Sequence, residues 1–261
     1  MLFEIFIAFL AGIAAGTLGG LLGLGGGIVI MPYLRFVLGL SPMMAAGTCV
    51  AAVFFTTLGG TIKHRQLGHI DFKSIAPIIV AGAVSTVIFS LIFLNFRKQE
   101  WWLDLGIGLI FALVAARMIR EGLSEKSKVE AGELSTNELR GSGVKKIITG
   151  GIAGIFPGLM GIGTGAILVP AFSFFFAAPL KVAMGSSLAC FTVNALISSI
   201  QKLSQGYMAL GIALPISLGA LCGSFLGARL NHHIPPRNLR IIFGIVFFYI
   251  GLKFILSFSN H

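Results

Sequence analysis

The chain carries one glycine-rich stretch twice, as GGLLGLGGGIVIMP over Gly19–Pro32 and as PGLMGIGTGAILVP over Pro157–Pro170. An ungapped offset of 138 residues places Gly23 on Gly161, Gly25 on Gly163, Gly27 on Gly165 and Pro32 on Pro170. The same offset pairs Gly16 with Gly154, Gly47 with Gly185, Gly68 with Gly206, Pro77 with Pro215 and Gly106 with Gly244, so about 107 residues form an internal repeat. Such a chain folds as two related halves. Whatever the glycines build is built twice, and one site made from both copies is the expectation.

The 261 residues are 56% hydrophobic and only 11% charged, with a mean hydropathy of +0.96, far from an ordinary soluble domain. This composition describes an integral membrane protein. In hydrocarbon only helices or closed barrels satisfy the backbone, and these apolar runs are too long and continuous for barrel strands. The net charge of +10 does not point to nucleic acid, because the 19 Lys and Arg residues sit in short loops between apolar runs, where they orient the chain in the bilayer. The start, Met1-Leu2-Phe3-Glu4, lacks a basic n-region, so the first apolar run reads as a retained helix. Cys49, Cys190 and Cys222 lie within apolar runs and read as small buried hydrophobes without a disulfide.

Leu2–Leu22 is long enough to span a bilayer, whereas Ile28–Leu40 is too short. A single helix over both would be about 60 Å long, twice the hydrocarbon thickness, so the chain turns back near Gly23–Gly27. Met43–Ile62, Ile75–Phe96 and Trp101–Ile119 complete five segments. Ile147–Ile162, Ala166–Ala178, Val182–Ile200, Tyr207–Ala228 and Leu239–Phe258 supply the second five. Residues 1–120 and 147–261 are thus the two membrane repeats, and 121–146 is a polar linker, partly disordered and placed in the cytoplasm.

An odd number of segments makes the second copy enter from the opposite face, which predicts two inverted five-segment repeats with short helices after glycine-rich turns. A cytoplasmic linker leaves only Arg35, Arg97, Lys98, Lys202 and Lys253 of the 19 basic residues outside. Trp101 and Trp102 fit an interfacial belt. Lys63 and Lys202, near segment ends, are expected to snorkel to the interface.

No catalytic set is apparent, and no metal or cofactor is expected. The nine carboxylates fall at segment ends or in the linker, which argues against a carboxylate proton relay. His64, His69, His232, His233 and His261 fall in loops or at the terminus and read as solvated. Gly12, Gly16 and Gly20, four residues apart, read as a helix-packing face. GLGGG and GIGTG differ, because dense glycine breaks a helix and each is followed by a short helix whose first N–H groups have no intrahelical partner. Such ends attract anions, and paired broken helices in inverted repeats are where transporters bind substrate. The spacing is not that of a dinucleotide loop, and no Walker lysine follows.

Candidate substrate contacts are therefore Gly25, Gly26, Gly27 and Ile28 in the first break and Gly163, Thr164 and Gly165 in the second, with pure helix packing as the alternative. Polar residues on the third segment of each repeat join them: Thr48 aligns with Ser186, Cys49 with Ser187 and Thr56 with Asn194. Asn194 either holds helices together or contacts substrate, since a buried amide needs partners.

GGLLGLGGGIVIMPYL, GLMGIGTGAILVPAF and the small-residue helices MMAAGTCVAA and VAMGSSLACF resemble the sulfite exporter TauE/SafE family of bacterial membrane permeases. The resemblance covers nearly the whole chain except the linker. It implies transport of sulfite, sulfoacetate or related organosulfonates across the cytoplasmic membrane, most often as export. Thr164 stands where the family pattern has a third glycine. Read together, the sequence predicts a permease with a midplane anion site between the repeats, with an anion channel and a non-transport scaffold or sensor as alternatives. The oligomeric state is not legible.

Overall fold

The computed structural model describes residues 2–123, 141–163, 165–230 and 236–258; most of the linker and Thr164 lie outside the described residues. The described residues form ten α-helices: α1 Leu2–Leu22, α2 Gly27–Pro32, α3 Pro42–Gln66, α4 Phe72–Ile92, α5 Trp101–Leu123, α6 Gly143–Met160, α7 Gly165–Phe175, α8 Leu180–Ser204, α9 Leu210–Leu230 and α10 Pro236–Phe258. α2 continues as one π-type turn over Tyr33–Val37, and α4 ends in a tighter 3-10 turn over Phe93–Lys98. Among the described residues, six helices are long and apolar enough to cross a membrane. Large apolar side chains such as Val80, Leu113 and Leu218 stand on the outside at 63%, 71% and 56% exposure, an arrangement that lipid rather than water tolerates. The chain is an all-helical, multi-pass membrane protein.

Local chemistry sets the helix ends. Ser41 caps α3 by accepting from the Met44 N–H at 3.4 Å, with Pro42 in the first turn, where its missing N–H costs nothing. Asp71 caps α4 through the Ser74 N–H at 3.2 Å.

The two repeats interlock. α1 packs along α9 and, at the equivalent place, α6 packs along α4, while α5 packs on α10 and α3 on α8. Small residues permit the closest approach. A Cβ on Gly12, Gly16 or Gly20 would collide with the backbone of Ile216, Ala220 or Ser224 of α9. Gly150, Gly154 and Gly158 meet Ile78, Gly82 and Thr86 of α4 in the same way, each contact being the first shifted by the repeat offset. Where lipid removes the hydrophobic drive between helices, this backbone proximity and the dispersion it allows hold the pairs together.

Equivalent helices that pack on each other run antiparallel. On α3 and α8, Thr61 Oγ1 lies 3.0 Å from Thr192 Oγ1, while fourteen residues back a Cβ on Gly47 would stand 3.4 Å from Lys202 Cβ. On α5 and α10, Gly108 meets Ile255, whereas Ile119 meets Gly244.

Candidate functional site at the paired glycine breaks

The first break begins where α1 ends. Leu24 and Gly25 both donate back to the Gly19 carbonyl, at 3.1 and 3.5 Å, which folds the chain against its own helix. Gly25 and Gly26 then take φ of 83° and 70°, the left-handed region that side chains with a Cβ rarely enter. Val29 and Ile30 donate to the Gly26 carbonyl at 3.0 and 3.2 Å, starting α2 at mid-height of α3, beside Val53 and Thr56. Among the described residues the Gly26 and Ile28 N–H groups have no backbone acceptor. Both are donors of a buried turn.

The second break follows Gly161, which ends α6 in the left-handed region at φ 65°, matching 70° at Gly23. It meets the first break directly. A Cβ on Gly27 would stand 2.9 Å from the Gly163 amide nitrogen, and one on Gly165 2.6 Å from Leu24 Cα. Gly163 packs in turn against the Leu24 carbonyl. Phe191 of α8, fully buried, closes one side: its ring lies 3.1 Å from where a Gly25 Cβ would be. All these glycines are buried.

Gly25, Gly26, Gly27, Ile28, Gly163 and Gly165 thus come together, and Thr164 lies outside the described residues. Thr56 joins them, with Oγ1 about 3.1 Å from a Cβ on Gly26 while it donates to Ala52 O at 2.9 Å. Thr48 does not. Its Oγ1 accepts from the Ala209 N–H at 3.0 Å and ties α3 to the approach to α9. Ser186, Ser187 and Asn194 are buried on α8, and their Oγ and Oδ1 atoms have no partner among the described residues. Cys49, aligned with Ser187, also lies beside the first break, since Sγ donates weakly to Gly27 O at 3.7 Å. Cys49 and Cys190 are buried and Cys222 exposed, all with free thiols.

Three sequence expectations are corrected, those for Lys202, His64 and Cys222, the last being exposed rather than buried. Lys202 does not snorkel: it is fully buried, donates to Gly158 O at 2.8 Å and lies 3.2 Å from the Phe93 ring centre. His64 is not in a solvated loop but buried in the last turn of α3, with Nδ1 3.4 Å from Nδ1 of His69. Asp104 sits at a segment end as read, yet is fully buried, where Arg35 grips both its carboxylate oxygens. Asp104 has apolar neighbours in the sequence, but Lys202 and His64 stand among polar ones, so nothing local marks these two for burial. Arg35 also donates to Leu40 O at 2.9 Å and lines a cavity of about 360 Å³ with Ser41, Pro42, Glu100 and Trp101.

Interlocked helical repeats whose broken helices meet at a buried point fit a polytopic membrane transporter architecture. The sulfite exporter TauE/SafE family model matches residues 8–254, and the chain belongs to that family. It is similar to the probable membrane transporter protein YunE of Bacillus subtilis, at 29% identity over 95% of this chain and 96% of that one. It is also similar to the probable membrane transporter protein MJ0441 of Methanocaldococcus jannaschii, at 25% identity over 96% and 95%. A 30% identical stretch covers 41% of this chain and 24% of the sulfite exporter TauE/SafE family protein 1 of Arabidopsis thaliana. No solved structure matches.

Proposed function

We propose that this transporter moves sulfite, or a related small organosulfur anion such as a sulfonate, across the cytoplasmic membrane in the export direction, by alternating access at a site between the two glycine breaks. The observation that carries the reading is the meeting of the breaks. Two helix starts converge at one buried point, and among the described residues the Gly26 and Ile28 N–H groups there lack backbone acceptors. Free N–H groups and the positive ends of helix dipoles suit a compact anion. In the packed arrangement the glycines touch each other, so loading requires the halves to part, as a rocking mechanism provides.

The test is flux into proteoliposomes of sulfite, thiosulfate, sulfoacetate, sulfate and acetate. Saturable uptake with counterflow is expected for the sulfur anions, and acetate should move poorly. Equal rates for acetate and sulfite would remove the sulfur specificity, flux without saturation would make the protein a channel, and no binding of any anion would leave a scaffold or sensor.

The antiparallel packing of equivalent helices supports repeats 1–120 and 147–261 inserted in opposite directions, with the linker 121–146 in the cytoplasm and both termini outside. In a background without Cys49, Cys190 and Cys222, an impermeant thiol reagent on intact cells should label a cysteine replacing Asn260 and miss one replacing Ser127. The reverse pattern would sink the assignment.

A further inference from the structure

The second half of α8 carries a buried polar stripe. Asn194, Ser198 and Lys202 recur every fourth residue, so they share one face of the helix, and they are 1%, 0% and 0% exposed. Ser198 donates to Pro157 O at 2.6 Å and Lys202 to Gly158 O at 2.8 Å, both in the last turn of α6 before the second break. The Asn194 amide abuts Gly82 of α4, and its Oδ1 has no partner among the described residues. The stripe and the second glycine break therefore share one helix end.

A carrier built for anions has reason to keep a cation there. An ammonium has three donors, and Nζ of Lys202 uses one on a carbonyl and rests on the Phe93 ring. Among the described residues no carboxylate pairs with it. A buried charge without a counterion is costly, so an amine retained in this position gains most when a mobile anion arrives. The equivalent position on α3 holds His64, which is also buried but lies beside His69, so the two halves differ in their basic group.

We propose that Lys202 is the countercharge of the transported anion, receiving it on the α8 stripe with Asn194 and Ser198 beside the second break. This rests on the transport reading above. The experiment is sulfite- and sulfoacetate-dependent thermal stabilisation of the purified protein and of Lys202→Met, Lys202→Gln and Lys202→Arg. Lys202→Met and Lys202→Gln should bind both anions at least about tenfold more weakly, the loss of a charge-assisted contact, and Lys202→Arg should remain within about threefold of the parent. Without anion, Lys202→Met should melt at or above the parent temperature, because an apolar group replaces an unpaired buried charge. Lys202→Gln keeps a donor for Gly158 O and carries the test if Lys202→Met fails to insert. Unchanged anion affinity in a folded Met or Gln variant, with a lowered melting temperature, would overturn the proposal and make Lys202 a cap on the carbonyl end of α6. Parent protein that neither binds nor transports these anions would overturn the transport reading and this one together. Binding by the parent with indifferent variants would overturn this one alone.

Discussion

Gly25→Val and Gly163→Val should each lower the initial rate of anion transport on the order of a hundredfold, while the protein still inserts in the membrane. Gly25 holds φ 83°, and a β-branched side chain there costs about 1–2 kcal/mol in backbone strain before any contact is counted. The added atoms would also press on Phe191 and Thr57, whose nearest atoms lie 3.1 and 3.2 Å from the Cβ position. At Gly163 the obstacle is backbone, the Leu24 carbonyl of the opposite break, so the two breaks could no longer close. Gly16→Ala is the comparison. It forces α1 from α9, with Ala220 Cα 2.8 Å from the new Cβ, at an overpacking cost of about 1–3 kcal/mol, and should lose stability before activity. Initial rates and melting temperatures of all three, measured side by side, separate the cases. Normal substrate affinity in folded Gly25→Val and Gly163→Val proteins would move the site away from the breaks.

The largest stability effect is expected at Asp104. This carboxylate is fully buried, and Arg35 reaches it from the π-type turn that follows Pro32, with Nε donating to Oδ1 at 2.9 Å. Asp104→Ala leaves a guanidinium without its counterion and should cost about 3–5 kcal/mol. Arg35→Leu with Asp104→Leu should recover most of that loss, because the pair is removed together and the site repacks with apolar atoms. The repeat offers an internal contrast, since the offset places Ser173 and Ile242 at these positions in the second half. The ion pair therefore belongs to one half alone. Reversible unfolding of the single and double variants decides the matter, and a double variant as unstable as Asp104→Ala would mean that the pair does more than neutralise itself.

Much of the architecture was legible before any coordinates. Membrane helices bond their own backbone, so apolar length and glycine position suffice to mark them. The apolar run Leu2–Leu22 coincides with α1 to the residue, the turn at Gly23–Gly27 follows from the excess length of the two runs, and Gly12, Gly16 and Gly20 form the packing face their spacing implies. The repeat offset carried further than the segments, down to which glycine meets which carbonyl on the partner helix.

What the chain pattern left open was decided by contacts between residues far apart in sequence. A lysine near a helix end can reach the interface or turn inward, and the buried Gly158 carbonyl at the end of α6 and the Phe93 ring turned Lys202 inward. Thr48 and Thr56 look alike in sequence; only the path of the chain before α9 takes one away and leaves the other beside Gly26. Arg35 and Asp104 become partners because the return of α2 brings the end of one short helix to the start of α5. By itself the sequence determined that two related halves of membrane helices would break at two glycine turns, because periodicity, length and backbone freedom are local properties. The tertiary structure alone decided which atoms of the two turns touch and which polar groups are drawn in around them, because partner choice depends on how interlocked helices are brought together in space.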